Sequence, residues 1–392
     1  MLLTTPLRLR SLEADKAARK VTWLELFFDL IFVAAVSQVA EPLRDHYSFL
    51  ELARFTPLFM LIWWAWTGHT VFSTRFDTDD VVQRGLTLLQ MFAVAVMAAN
   101  AKDALDSRSS AGFAAAYAAV RLVLVGQYLR ARHIVEARPL TTRYLVGHGF
   151  AAILWLLSAL IPAPLRFWIW AIAFAIDLGT PWLAIPHSVR IPPDAAHLPE
   201  RFGLFMLILL GESVIAVMHG MESQESWPVS AAVSAFMGMG LFFTIWWWYF
   251  DGAAGASEQP VRTQRDAIRF HVWTYAHFPL YLGTVIAGVG VQRIVTLASH
   301  AQLTSTDALM LGGGVATVML AITVIDFTSA RSRPRIAARV APHVALAVAT
   351  LFVGGVGHRA APVLMIAAIV AFSLGQLAWA LGDADAPAHA IT

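Results

Sequence analysis

The chain has 392 residues, of which 58% are hydrophobic and 14% charged, with 14 Trp and 24 Phe. That is too apolar for an ordinary soluble domain, and the pattern reads as a polytopic membrane protein. A net charge of +2 with no basic, aromatic-interleaved helix gives nucleic acid nothing to bind, and zero Cys excludes disulfides and Cys-ligated zinc.

The N-terminal segment, residues 1–21, is basic and precedes an apolar run in the manner of a signal peptide. Asp29, in the middle of that run, argues against cleavage. With ~20 apolar residues as the spanning length, twelve helices are expected, at 22–40, 51–73, 84–101, 111–129, 143–161, 166–186, 201–219, 229–251, 268–290, 308–326, 340–357 and 361–381. The fold class is therefore an all-α transmembrane bundle. Shifting the chain by 183 residues lays Asp29 on Glu212 and Ile62–Trp66 on Ile245–Tyr249. This suggests an internal repeat of two six-helix halves, 22–190 and 191–381, followed by a cytoplasmic tail at 382–392. Parallel halves of this kind are how many transporters surround a central site.

Positive loops stay in the cytoplasm. Alternate loops split the 28 Lys and Arg into 20 on the side of the N-terminus, Arg75 and Arg201 among them, and seven opposite, with Arg121 inside helix 4. Both termini are thus expected in the cytoplasm of a cell whose inner membrane holds the protein, with the lipid bilayer as its surroundings.

The first helix, VTWLELFFDLIFVAAVSQV, carries Glu25 and Asp29 at i, i+4 on one face. An ionisable group in hydrocarbon costs roughly 2.5–3.5 kcal/mol even on the lenient insertion scale, so it is usually paired and turned inward. By a rise of 1.5 Å per residue, Asp29 lies ~10 Å inside helix 1, and Glu212, Arg121 and Asp177 each lie ~15 Å inside theirs. These groups are expected to meet, with Asp29 or Glu212 as the partner of Arg121. They form either a static network that fixes helix packing or a titrating site that binds a proton or cation. Glu25, nearer the interface, is a further candidate or a snorkelling side chain.

The turn after helix 2, RFDTDDVVQR, offers Asp77, Asp79 and Asp80 as hard oxygen ligands, with Asp251 at the corresponding place in the second half. Together they would hold Mg²⁺ against a diphosphate. The competing reading is an ordinary N-cap for helix 3. DLGTP at Asp177–Pro181 is expected to unwind helix 6 beside its carboxylate. The clusters Trp63, Trp64, Trp66 and Trp246–Trp248 read as an interfacial belt, and Gly238, Gly240 and Gly312–Gly314 as close helix packing. No HExxH or similar metal pair accompanies the histidines.

Several of these segments are distinctive together: ELFFDLIFV at Glu25–Val33, RFDTDDVVQR at Arg75–Arg84, HLPERFGLFMLILLGESVIAV at His197–Val217 and WWWYFDGAA at Trp246–Ala254. In this order, with DLGTPWL and TYAHFPLYLGTVIAGVG, the chain resembles the bacterial low temperature requirement A family of membrane proteins over nearly its whole length. The resemblance implies a membrane protein but carries no molecular activity across, because the family's name describes a growth phenotype. The residues themselves favour a proton- or cation-coupled transporter of a small molecule or ion. An intramembrane enzyme using Mg²⁺ on a lipid-linked or prenyl diphosphate, and a non-catalytic structural or sensory protein, remain the alternatives.

Overall fold

The structure is a computed structural model that describes residues 7–9, 21–77, 80–106, 109–224, 226, 228–252, 258–298, 302–329 and 336–384. It is helical almost throughout. The twelve long helices among the described residues are α1 Trp23–Asp45, α2 Phe49–Arg75, α3 Val81–Ala99, α4 Ser110–Ala131, α5 Arg138–Ser158 and α6 Leu165–Leu183 in the first part of the chain. They continue as α7 His197–Glu222, α8 Val229–Trp247, α9 Gln264–Thr296, α10 Ser305–Thr328, α11 Ile336–Val356 and α12 Pro362–Ala384. A four-residue helix, Ile185–Ser188, follows α6. Strand β1, Arg8–Leu9, pairs antiparallel with β2, Phe76–Asp77.

Capping sets several starts. Thr22 and Glu25 exchange bonds at the head of α1, with the Thr22 amide 2.8 Å from a Glu25 oxygen. The Asp80 carboxylate accepts from the Gln83 amide at 2.8 Å and opens α3. Thr304 and Asp307 do the same for α10.

Nine of the described helices are long and apolar enough to cross a membrane. Their outward faces are apolar as well: Leu88 and Phe92 on α3 are 62% and 66% exposed, and Phe150, Ile153 and Leu157 on α5 are exposed too. Surfaces of that kind belong against lipid, where every backbone polar group must be satisfied within the helix itself. Helix α2 is the opposite case. From Leu61 to Thr67 every side chain is buried, so it is enclosed on all sides. Trp63, Trp64 and Trp66 therefore sit in the core and not at an interface. Trp246 and Trp247 are half-buried and Trp248 is buried.

The chain divides into two compact units. The first comprises Met1–Pro42, Ala53–Phe205 and Glu258–His271. In it α3, α4, α5 and α6 pack successively, each against the next. The second comprises Leu43–Leu52, Met206–Ser257 and Val272–Thr392. There α10 packs on α11, α11 on α12 and α12 on α8. Of the glycines expected to allow close packing, Gly238, Gly312 and Gly314 do so, whereas Gly240 makes only an ordinary contact and Gly313 faces open space. A Cβ on Gly238 would lie 2.2 Å from Val291, and one on Gly312 would lie 2.4 Å from the Thr350 carbonyl.

Candidate functional site

In the first unit, three groups of buried charge among the described residues differ in net charge. The first is built on α1 and α7. Arg201 donates to both Asp29 oxygens, at 2.5 and 3.1 Å, and its Nη1 lies 3.2 Å from Glu25. The Trp66 indole donates to Asp29 at 2.7 Å, while Phe202 and Phe205 pack on its ring. His197 bridges Glu25 and Glu200, with 3.2 Å to each. Asp29 and Arg201 are fully buried. Two carboxylates thus share one guanidinium, and the group carries a net negative charge unless it takes up a proton or cation.

The second group joins α4, α5 and α6. Arg121 Nε lies 2.7 Å from Asp177, and the Tyr117 hydroxyl donates to the same carboxylate oxygen at 3.1 Å while accepting from Arg121 Nη2 at 2.7 Å. His148 Nδ1 lies 2.5 Å from the other Asp177 oxygen. One acid meets one arginine, so with a neutral imidazole this group balances. Helix α2 lies between the two groups. Trp66 reaches Asp29, whereas a Cβ on Gly68 would come within 2.8 Å of Arg121 Nη1. His69 stacks on Phe28 at 4.1 Å, and the Gln127 amide approaches it at 3.5 Å.

The third group centres on Arg75, the last residue of α2, which is 1% exposed. Its guanidinium meets neutral hydroxyls: Tyr144 at 3.2 Å and Ser188 at 3.4 Å, with Tyr128 beside it. The cation also lies over the Tyr144 ring, 5.5 Å from its centroid. Arg75 Nε has no hydrogen-bond partner, and among the described side chains, which do not include those of Asp77 and Asp79, no carboxylate pairs with it. Arg166 shows the alternative arrangement, since its donors reach the Ser158 and Ala159 carbonyls at the end of α5, at 2.9 and 3.1 Å. At a helix C-terminus the dipole offsets ~0.3–2 kcal/mol of a cation's cost, against several kcal/mol for burying an unpaired ion.

The expected meeting of Asp29, Glu212 and Arg121 is thus resolved differently. The carboxylate of Arg121 is Asp177. Asp29 takes Arg201, which the sequence placed in a loop. Glu212 belongs to the second unit and pairs there with Arg44 at 2.7 Å. Glu25 does not merely snorkel, because it turns to Arg201 and His197. Helix α6 runs unbroken through Asp177–Pro181, and within it the Thr180 hydroxyl donates to the Ile176 carbonyl at 2.8 Å.

The residues of the acidic turn are also distributed. Asp80 caps α3 and pairs with Arg130, and Asp77 lies in β2. Asp251 is exposed on a π-helical turn, Trp248–Gly252, in the second unit. Asp79 lies outside the described residues. Among the described residues no group of three His, Asp or Glu is placed to hold a metal ion. Arg201, His197, His148, Tyr117 and Trp66 escaped sequence reading. The one available signal was Asp194, whose side chain accepts from the Ala196 and His197 amides at 3.0 Å and starts α7 a turn before residue 201.

A helical protein with nine membrane-length apolar helices among its described residues, and buried charge groups in the same bundle, is an integral, multi-pass membrane protein. The family described as bacterial low temperature requirement A protein (LtrA) matches residues 20–376, and the chain belongs to it. A protein of Rhizobium meliloti (strain 1021), named there as uncharacterized, is 29% identical over 287 residues, covering 69% of this chain and 68% of that one. No solved structure matches the chain.

Proposed function

We propose that the protein is a secondary transporter coupled to protons or another cation, and that Glu25, Asp29, Arg201 and His197 form its coupling site. The observation that carries this reading is charge balance. Glu25 and Asp29 both lean on Arg201, so one negative charge is left for a proton or cation to neutralise. A static packing device needs no such excess, and the balanced Arg121–Asp177 pair fits that role instead. His197, 2% exposed and touching Glu25, offers a relay between the buried carboxylates and the partly exposed Glu200. The excess of Lys and Arg on one side supports cytoplasmic termini, which would put this site toward the cytoplasm. The acidic-turn enzyme draws no comparable support, because Asp80 is already committed to its cap and to Arg130.

The test is proton flux in proteoliposomes under an imposed pH gradient, with a panel of small ions and metabolites outside. Wild-type flux should fall at least about tenfold in Asp29→Asn, the scale of a coupling change of ~1.4 kcal/mol. The Arg121–Asp177 group would be kept intact. Folded protein that moves no protons with any of the panel would overturn the reading.

A further inference from the structure

We infer that Arg75, with Tyr144, Tyr128 and Ser188, binds a small monovalent anion. The guanidinium is fully buried, and no carboxylate among the described side chains, which do not include those of Asp77 and Asp79, pairs with it. Its contacts at Tyr144 and Ser188 are neutral hydroxyls, 3.2 and 3.4 Å away. Its Nε–H has no acceptor. A further titratable group in the field of this charge is His271, also buried, which contacts the Pro181 carbonyl through Nε2 at 3.0 Å.

A buried guanidinium takes an anion wherever geometry allows, because charge-assisted hydrogen bonds are the strong ones. Hydroxyls that accept from arginine turn readily to donate to an anion, since each carries a donor and two lone pairs. A single guanidinium that meets only neutral groups among the described side chains matches one negative charge, which favours a monovalent species over sulfate or phosphate. The walls are apolar: Leu7, Phe72, Phe76 and Ile191 belong to the same packed cluster as Tyr128 and Tyr144. Such walls suit a small carboxylate as well as nitrate or chloride. Ser188 sits on the short Ile185–Ser188 helix, so a shift of that segment would give the anion a way in. That this anion is the transported substrate rests on the function proposed above; that it binds does not.

The experiment uses the purified full-length protein in detergent, in a gluconate buffer too bulky to enter, titrated with acetate, nitrate, chloride and, separately, sulfate. The readout is the midpoint of heat denaturation. The wild type should gain stability saturably with the monovalent ions and little with sulfate. Acetate acting without nitrate or chloride would mark a carboxylate site; all three acting would mark a general monovalent-anion site.

Arg75→Gln should abolish the response without lowering the anion-free midpoint, because it removes a buried charge that meets only neutral hydroxyls among the described side chains. Ser188→Ala should weaken the response about three- to tenfold, the scale of one hydrogen bond, and it serves as the test should Arg75→Gln fail to fold. A wild type indifferent to every monovalent anion, or a response that survives intact in Arg75→Gln or in Ser188→Ala, overturns the inference. Because no flux is measured, loss of the transport reading leaves this result standing.

Discussion

Among single residues, Arg201 holds the charge on which most depends. Taking that charge away leaves Asp29 buried with only the Trp66 indole, and stranding one member of a buried pair typically costs ~3–5 kcal/mol. Arg201→Gln should therefore lower the heat-denaturation midpoint strongly. The double variant Arg201→Gln with Asp29→Asn should recover much of the loss, because the uncompensated charge goes too. A double variant no better than the single one would show that the two side chains do not act as a pair. Asp29 was legible in the sequence because a carboxylate inside an apolar run stands out. Arg201 was not, because its partner is 172 positions away and it followed a proline-rich loop, where a cation reads as a loop charge. His148 was hidden for another reason: a lone histidine on an apolar helix has no spacing signal until Asp177 is folded beside it.

Between elements, the α5–α6 contact is close at one glycine. A Cβ on Gly147 would sit 2.1 Å from the Thr180 hydroxyl, so the two helices meet at this glycine, next to His148 and its bond to Asp177. The helices were legible from apolar run length, with ends displaced by up to six residues, as where α9 runs on from 290 to Thr296. Their packing was not, since it depends on which small residue faces which neighbour. Gly147→Ala should force the pair apart and cost ~1–3 kcal/mol, the usual range for overpacking. Gly149, two residues on, faces open space, with nothing within 4 Å of where a Cβ would stand. Gly149→Ala should be neutral or stabilise by up to ~1 kcal/mol through helix propensity. Equal losses in both variants, measured by heat denaturation, would show that the close contact is not the cause.

For the whole molecule, the orientation proposed for the termini follows from loop charge, and buried arginines must be removed from that count. Arg75 and Arg201 leave the larger set and Arg166 the smaller, since all three are buried. Taking two from 20 and one from seven leaves 18 against six, so the bias survives correction. The chain contains no Cys, so single cysteines report topology in an otherwise unaltered protein. Lys102 and Arg132 are both exposed and lie at opposite ends of α4. With cytoplasmic termini, Lys102→Cys should react with a membrane-impermeant maleimide in intact cells whose outer barrier has been opened. Arg132→Cys should react only after the inner membrane is broken. The reverse pattern would invert the protein and place the Glu25–Asp29 group toward the outside, where it would load protons from the acidic face rather than release them to the cell. Labelling of both positions in intact cells would mean that α4 does not cross the membrane, although it is long and apolar enough to do so.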